Sequence, residues 1–165
     1  MENSNIDIAK KTITEVLAHM GFESEIFERQ EEGRVVFNIR CSDAKLLIGK
    51  QGSTLESLQY LVKLLVYRQI PEDQKFSFAL DVDDYKDKRV IYLKDLARKA
   101  AHQVRQTKKA VSLVPMPSHE RRVVHNYLSL FSDVSSESIG EEPNRKLIIK
   151  YKKPADSGFS FIEEM

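Results

Sequence analysis

Two short stretches carry side chains whose type and spacing could do chemistry. In Ile48-Gly49-Lys50-Gln51-Gly52-Ser53 a lysine stands between two glycines, just ahead of the periodic apolar run Leu55, Leu58, Leu61, Val62, Leu65, Val66. In Glu120-Arg121-Arg122-Val123-Val124-His125 an arginine and a histidine stand four residues apart, the spacing that puts two side chains on one side of a helix. Both combinations suit an anion. A glycine-bounded turn exposes backbone N–H groups, the start of the following helix carries partial positive charge, and Lys50 adds a full one. Arg121 offers a planar fork of donors that matches phosphate, and His125 can donate to a phosphate or hold the arginine in position, while Arg122 points further into solvent.

Something must hold these stretches in place. Ile6, Ala9, Ile13, Val16, Leu17 and Met20 recur at helical spacing, with Ser4 as N-cap and Gly21 as the stop. Extended segments over 23–29 and 34–41 flank Glu31-Glu32-Gly33, and Val35, Phe37, Ile39 and Cys41 alternate with polar residues, which predicts a hairpin of half-buried strands. A short helix over 43–48, a longer one over 53–69 ended by Pro71, and a strand alternating Phe76, Phe78, Leu80 and Val82 complete the order helix-strand-strand-helix-helix-strand. From Asp84 a second unit begins: a long helix over 86–109, a short strand over 111–114, a helix over 117–131, and a strand over 144–151 with 134–142 as its hairpin partner. The expected division is 1–83, 84–151 and a flexible tail over 152–165, in an α+β chain.

Composition narrows the function. The net charge of +1 hides a basic block: residues 86–122 hold 11 basic and 3 acidic side chains. On the long helix Arg98, Arg105 and Lys109 line one face, opposite the apolar stripe of Val90, Leu93, Ala97, Ala100, Ala101 and Val104. Such a face is a candidate phosphate-binding surface that adds affinity without sequence choice. No apolar run approaches a membrane span and the chain does not open on a signal-peptide pattern, so the expected compartment is the cytoplasm. The one cysteine, Cys41, sits in an alternating strand as an apolar filler. A nucleotide-hydrolase loop is excluded by spelling, because Ala44 stands where its first glycine belongs and Gln51 where its metal-binding hydroxyl belongs. The carboxylates are scattered, the four histidines lack metal-ligand spacing, and no Ser or Cys lies beside a base, which argues against an enzyme and implies no cofactor or metal.

Ile48-Gly49-Lys50-Gln51-Gly52 between two helices, in that element order, resembles the bacterial-type (type II) KH domain over about residues 4–83. KH domains clamp about four nucleotides of a single strand over this loop. Arg121 and His125, with Val114-Pro115-Met116 before their helix and Gly140-Glu141-Glu142-Pro143-Asn144-Arg145 before the last strand, resemble the small α/β R-3-H domain with its three-stranded sheet. The two in tandem, with LIGKQGSTLESLQYLV and PMPSHERRVVH, look like the bacterial Jag family, also called KhpB or EloR. Two features depart from the family: this sequence has no counterpart of the additional N-terminal domain and linker of many members, and Pro117-Ser118-His119 stands where Asn followed by an aromatic residue or Ala is expected.

The resemblance implies a non-enzymatic protein that binds single-stranded RNA, or single-stranded DNA, and acts as a post-transcriptional regulator or RNA chaperone in cell-envelope growth and cell shape. The implied contacts are Gly49, Lys50, Gln51, Gly52 and Ser53 in the first unit, and Arg121, Arg122 and His125 in the second. Arg145 is a further member from the neighbouring strand, and Arg98, Arg105 and Lys109 supply the basic face. The resemblance also implies pairing with a small single-domain KH protein or self-association, and the alternative function is a scaffold whose KH surface holds such a partner.

Overall fold

The computed structural model describes residues 2–31 and 33–152; of the expected tail, all but Lys152 lies outside them. The chain divides into two compact units, Met1–Lys88 and Arg89–Met165. The division falls one helical turn later than residue 83, because Tyr85, Lys86 and Asp87 all make contacts within the first unit, set out below.

In the first unit the elements are α1 (Glu2–His19), β1 (Ser24–Glu31), β2 (Arg34–Cys41), α2 (Ala44–Ile48), a tight helical turn over Lys50–Gly52, α3 (Ser53–Tyr67) and β3 (Phe78–Val82). This is the helix-strand-strand-helix-helix-strand order of the bacterial-type KH domain. Ser4 does not cap α1 but lies inside it, since the helix already starts at Glu2. The sheet order is β1-β2-β3. β1 runs antiparallel to β2, with Ile26 opposite Ile39, and β2 runs parallel to β3, with Phe37 opposite Leu80. Ala9, Ile13 and Leu17 of α1 and Leu55, Leu58, Val62 and Val66 of α3 close over Val35, Phe37, Ile39, Phe78, Leu80 and Val82. Phe78 meets Phe37 and Tyr67 edge to face, at centroid distances of 5.7 and 5.8 Å, the arrangement ring quadrupoles favour.

The alternating pattern predicts strands buried on one face, yet the centre of this sheet is buried on both. Val36, Asn38, Ala79 and Asp81 point away from that core and are buried as well. A polar network occupies their side of the sheet. Asn38 Nδ2 donates to Asp84 Oδ1 at 2.9 Å while Asp84 N–H donates back to Asn38 Oδ1 at 3.3 Å, and Arg29 Nη1 donates to the same Asp84 oxygen at 2.8 Å. Asp81 Oδ1 accepts from the N–H groups of Val82 and Lys86, and Arg29 Nη2 lies 3.7 Å from both Asp81 and Asp87. Lys86 Nζ reaches Gln59 Oε1 at 3.2 Å, and that same oxygen accepts from the Leu80 N–H on β3 at 3.0 Å. Burial pushes the Asp81 carboxyl up from its ordinary value and the Lys86 amine down, the expected response of charges withdrawn from water.

The long helix α4 (Tyr85–Thr107) carries the chain into the second unit, which continues with β4 (Val111–Ser112), α5 (Ser118–Leu128), β5 (Val134–Ile139) and β6 (Lys146–Tyr151). The sheet order is β4-β6-β5, antiparallel throughout. Leu93, Ala97, Ala100, Ala101 and Val104 of α4 meet Leu113, Met116, Val124, Leu128, Val134, Leu147 and Ile149 in one core. α4 ends at Thr107 rather than 109, with Lys108 in the left-handed region at φ +57. Its last turn is anchored by Arg105, which grips Asp133 with two bonds, Nε to Oδ2 at 2.6 Å and Nη2 to Oδ1 at 2.8 Å, and lies over the Phe131 ring at 4.9 Å.

The Arg105 hydrogen bonds hold the Asp133 carboxyl below its ordinary value of 3.8. A carboxyl with a depressed folded-state pKa contributes stability above its unfolded value and loses it as pH falls through the folded value. Asp133→Asn should therefore melt below the parent at pH 6, and the two melting temperatures should converge as the pH is lowered below 3.8. A constant gap between them across that range would show that the pair adds nothing.

Candidate nucleic-acid interface

The loop at the head of α3 owes its shape to two residues without side chains. Gly49 closes α2, its N–H donating to Lys45 O at 3.0 Å. Its backbone is at φ +71, ψ −170. This is not the left-handed cap that ends most helices but the region open essentially to glycine alone. A Cβ there would meet Thr54 Oγ1 at 2.0 Å. Gln51 follows in the left-handed region at φ +54, ψ +30, and Gly52 at φ +83, ψ +5 hands the chain to α3. Lacking a side chain, Gly52 gives α3 no side-chain cap, and the Ser53 N–H turns back to Lys50 O; the start of α3 carries the partial positive charge of a helix N-terminus. Lys50 and Ser53 are exposed beside them, and Leu46 of α2 stands exposed one turn earlier.

Gly52 also permits a close approach, and the group that uses it belongs to this chain. The Tyr85 ring lies over it, with Cε1 3.0 Å from where a Cβ would stand. Tyr85 reaches that position through the β3–α4 turn, where Asp83 and Asp84 both adopt left-handed backbone at φ +49 and +55. Along the other side of α2, Tyr85, Cys41, Ala44, Leu46 and Ile48 line an open groove of about 470 Å³ that also takes in Lys45 and Lys88.

In the second unit the structure separates residues that the sequence puts side by side. His125 and Arg122 are exposed on α5, but Arg121 is buried at 7% exposure. Both terminal nitrogens of Arg121 are engaged within the protein: Nη1 donates to Met116 O and Nη2 to Glu142 Oε1, both at 2.6 Å. Glu120, one residue earlier on α5, is buried as well, at 1% exposure. Glu120 is neutralised by two bonds from Arg89 at 2.6 and 3.0 Å. His125 Nδ1 lies 2.7 Å from Ser136 Oγ of β5. Arg145, just ahead of β6, donates from Nε to Ser138 Oγ at 3.0 Å and is exposed.

The basic face of α4 is less cationic than its spelling. Arg98 pairs with Asp95 at 2.5 Å and Lys99 shares that carboxylate at 2.7 Å, while Arg105 is taken up by Asp133. Lys109 is not on the face at all, since it follows the end of the helix. Sequence reasoning missed Thr54, Tyr85, Ser136, Ser138 and Glu142. Only the two serines leave a trace, as polar residues in β5 at positions where alternation from Val134 calls for apolar ones.

A profile of the R-3-H domain matches residues 92–151. The chain is 37% identical to an RNA-binding protein KhpB of Clostridium symbiosum, over 82% of this chain and 60% of the relative. It is 37% identical to that of Bacillus subtilis strain 168, over 87% of this chain and 67% of the relative. With that of Lactiplantibacillus plantarum it shares 40% identity over 70% of this chain and 35% of the relative. The chain thus spans about two thirds or less of the relatives it matches.

Gly49→Ala should lower the stability of the chain by about 3 kcal/mol, through a forbidden backbone conformation and the clash with Thr54. Gly21→Ala is the control, being at φ +82 with nothing within 4 Å of the added carbon, and it should lose only about 1 kcal/mol. Urea denaturation of the two variants checks the difference. Equal losses would mean that Thr54 does not dictate the loop.

Proposed function

The chain belongs to the Jag, or KhpB, family, and from that membership we propose that it is a non-enzymatic RNA-binding protein that holds single-stranded RNA over the Gly49–Gly52 loop. The observation that supports this most is the loop itself. Its glycine-shaped backbone, a helix start without a side-chain cap and exposed Lys50 together suit an anion, a phosphate there meeting the helix N-terminus and a full charge. A single strand is the form that fits, because a backbone clamped at one or two phosphates leaves unstacked bases free to lie along exposed Leu46 and the neighbouring groove. The second unit contributes a separate contact through Arg122, His125 and Arg145, with Arg121 behind them, and exposed cations outside the pairs on α4 add affinity that is blind to sequence. The relatives are named for RNA binding, and RNA rather than single-stranded DNA is taken as the natural ligand. Its role is that of a post-transcriptional regulator or RNA chaperone serving cell-envelope growth and cell shape, in the cytoplasm; among the described residues no helix is long and apolar enough to cross a membrane.

One observation favours a second, compatible reading as a scaffold for a small KH partner. Met20 and Leu61 are 46% exposed and, with Val16 and Leu65, line an open groove between α1 and α3. Apolar surface of this kind suits a protein partner better than a phosphate backbone. Retention of the partner after nuclease treatment would favour the scaffold, and its loss would make RNA the bridge.

The decisive test puts two anions into the loop. Lys50→Asp with Gln51→Asp should weaken binding of a short single-stranded RNA at least tenfold, about 1.4 kcal/mol, while the far-UV spectrum and melting temperature stay near those of the parent. Unchanged affinity in a folded variant would sink the assignment.

A further inference from the structure

β5 is an unusual strand for its position. Antiparallel register sets Ser136 opposite Ile149 and Ser138 opposite Leu147, so the two serines share the sheet face that carries the buried core residues Leu147 and Ile149. Two hydroxyls on a core face, at the free edge of a sheet, need partners. They have them in His125 and Arg145, each held by one hydrogen bond and each exposed to solvent beyond it. The serines therefore act as seats, fixing one nitrogen of each side chain and leaving the remaining donors outward.

Behind this face runs a continuous chain of bonds. Arg121 Nη1 donates to the Met116 carbonyl, the Met116 N–H donates to the Arg145 carbonyl at 3.4 Å, and Arg145 Nε donates to Ser138. The other terminal nitrogen of Arg121 holds Glu142, three residues before Arg145 in the β5–β6 connection. A buried guanidinium thus ties down, on two sides, the backbone from which Arg145 projects.

We propose that the phosphodiester contact of the second unit is made by His125 and Arg145, seated on Ser136 and Ser138, and that Arg121 is a positioning residue that builds this face without touching the ligand. The inference rests on the reading that the second unit takes part in binding a single strand. It assigns the two named residues of the Arg-x-x-x-His pattern different work: His125 meets the phosphate, and Arg121 holds Arg145 in place to meet it.

The test is a double-mutant cycle on the full chain, with a short fluorescent oligouridylate as probe and binding measured across a salt series. Arg145→Ala should weaken binding about fivefold and reduce the log-log salt slope by about 0.7, the loss of one phosphate contact. Arg121→Met, which keeps an unbranched chain in the buried slot, should weaken binding in the parent background but change it by less than about twofold when Arg145 is already Ala, because residues acting through one another are not additive. An equal loss in both backgrounds, with a further drop of about 0.7 in slope, would make Arg121 an independent phosphate contact and overturn the inference. If Arg121→Met does not fold, Glu142→Ala loosens the same tie from its exposed end, and the same non-additivity with Arg145→Ala is expected. Arg145→Ala and His125→Ala both binding as the parent does, with Lys50→Asp still weakening it, would remove the second unit from RNA binding altogether.

Discussion

The first unit is organised by a pair of hydrogen bonds between a strand and a turn. Asn38 sits at the centre of β2, where its amide is 5% exposed, and an unsatisfied amide there would cost roughly 1–3 kcal/mol. It is satisfied by Asp84 in both directions, its NH2 to the carboxylate and its oxygen from the backbone N–H. The turn that presents Asp84 for this exchange has Asp83 and Asp84 both in left-handed backbone, each an uncommon state for a residue with a side chain. The turn in its strained form delivers Tyr85 onto Gly52, and the ring then bears on the loop that closes onto α3. A buried polar group in the sheet is thereby linked, through Tyr85, to the Gly49–Gly52 turn that it does not touch.

Several of the arginines in this protein are turned against its own carboxylates. The block over residues 86–122 is cationic by count, but Arg89, Arg98, Arg105 and Arg121 each face a carboxylate. Two of those carboxylates, Asp133 and Glu142, come from later in the chain, outside the block. What an external anion can reach is set by exposure, which Lys50, Lys94, Arg122, His125, Arg145 and Lys109 share with other surface cations. Arginine is the residue suited to the internal tasks, since its rigid fork satisfies two acceptors at once, as Arg89 does with Glu120 and Arg105 with Asp133.

The apolar periodicity was enough to place α1, α3, β2, β3 and the core stripe of α4, because hydrophobic spacing and burial are the same information. The glycine pair ahead of the α3 stripe also marked the turn over Gly49–Gly52. Periodicity failed where a position depends on partners distant in sequence. Nothing near Arg121 announces that Met116 O and Glu142 will enclose it, and helical spacing alone gives only its side of α5, shared with His125. Alternation in β2 and β3 predicted one wet face; Arg29, Asp84 and Lys86, from three separate elements, dry it. The boundary at residue 83 was read from the change of pattern, whereas the contacts of Tyr85, Lys86 and Asp87 decide it.

β3 is the outer strand of its sheet and carries apolar or buried residues on both faces, Phe-Ala-Leu-Asp-Val. A strand of that composition with open N–H groups is a template onto which a second chain can add by backbone pairing, the first step of aggregation. The Gln59 side chain blocks this at the midpoint, because its amide oxygen already occupies the Leu80 N–H. A residue that reads as an ordinary polar position on α3 thus blunts the open edge of the folded sheet.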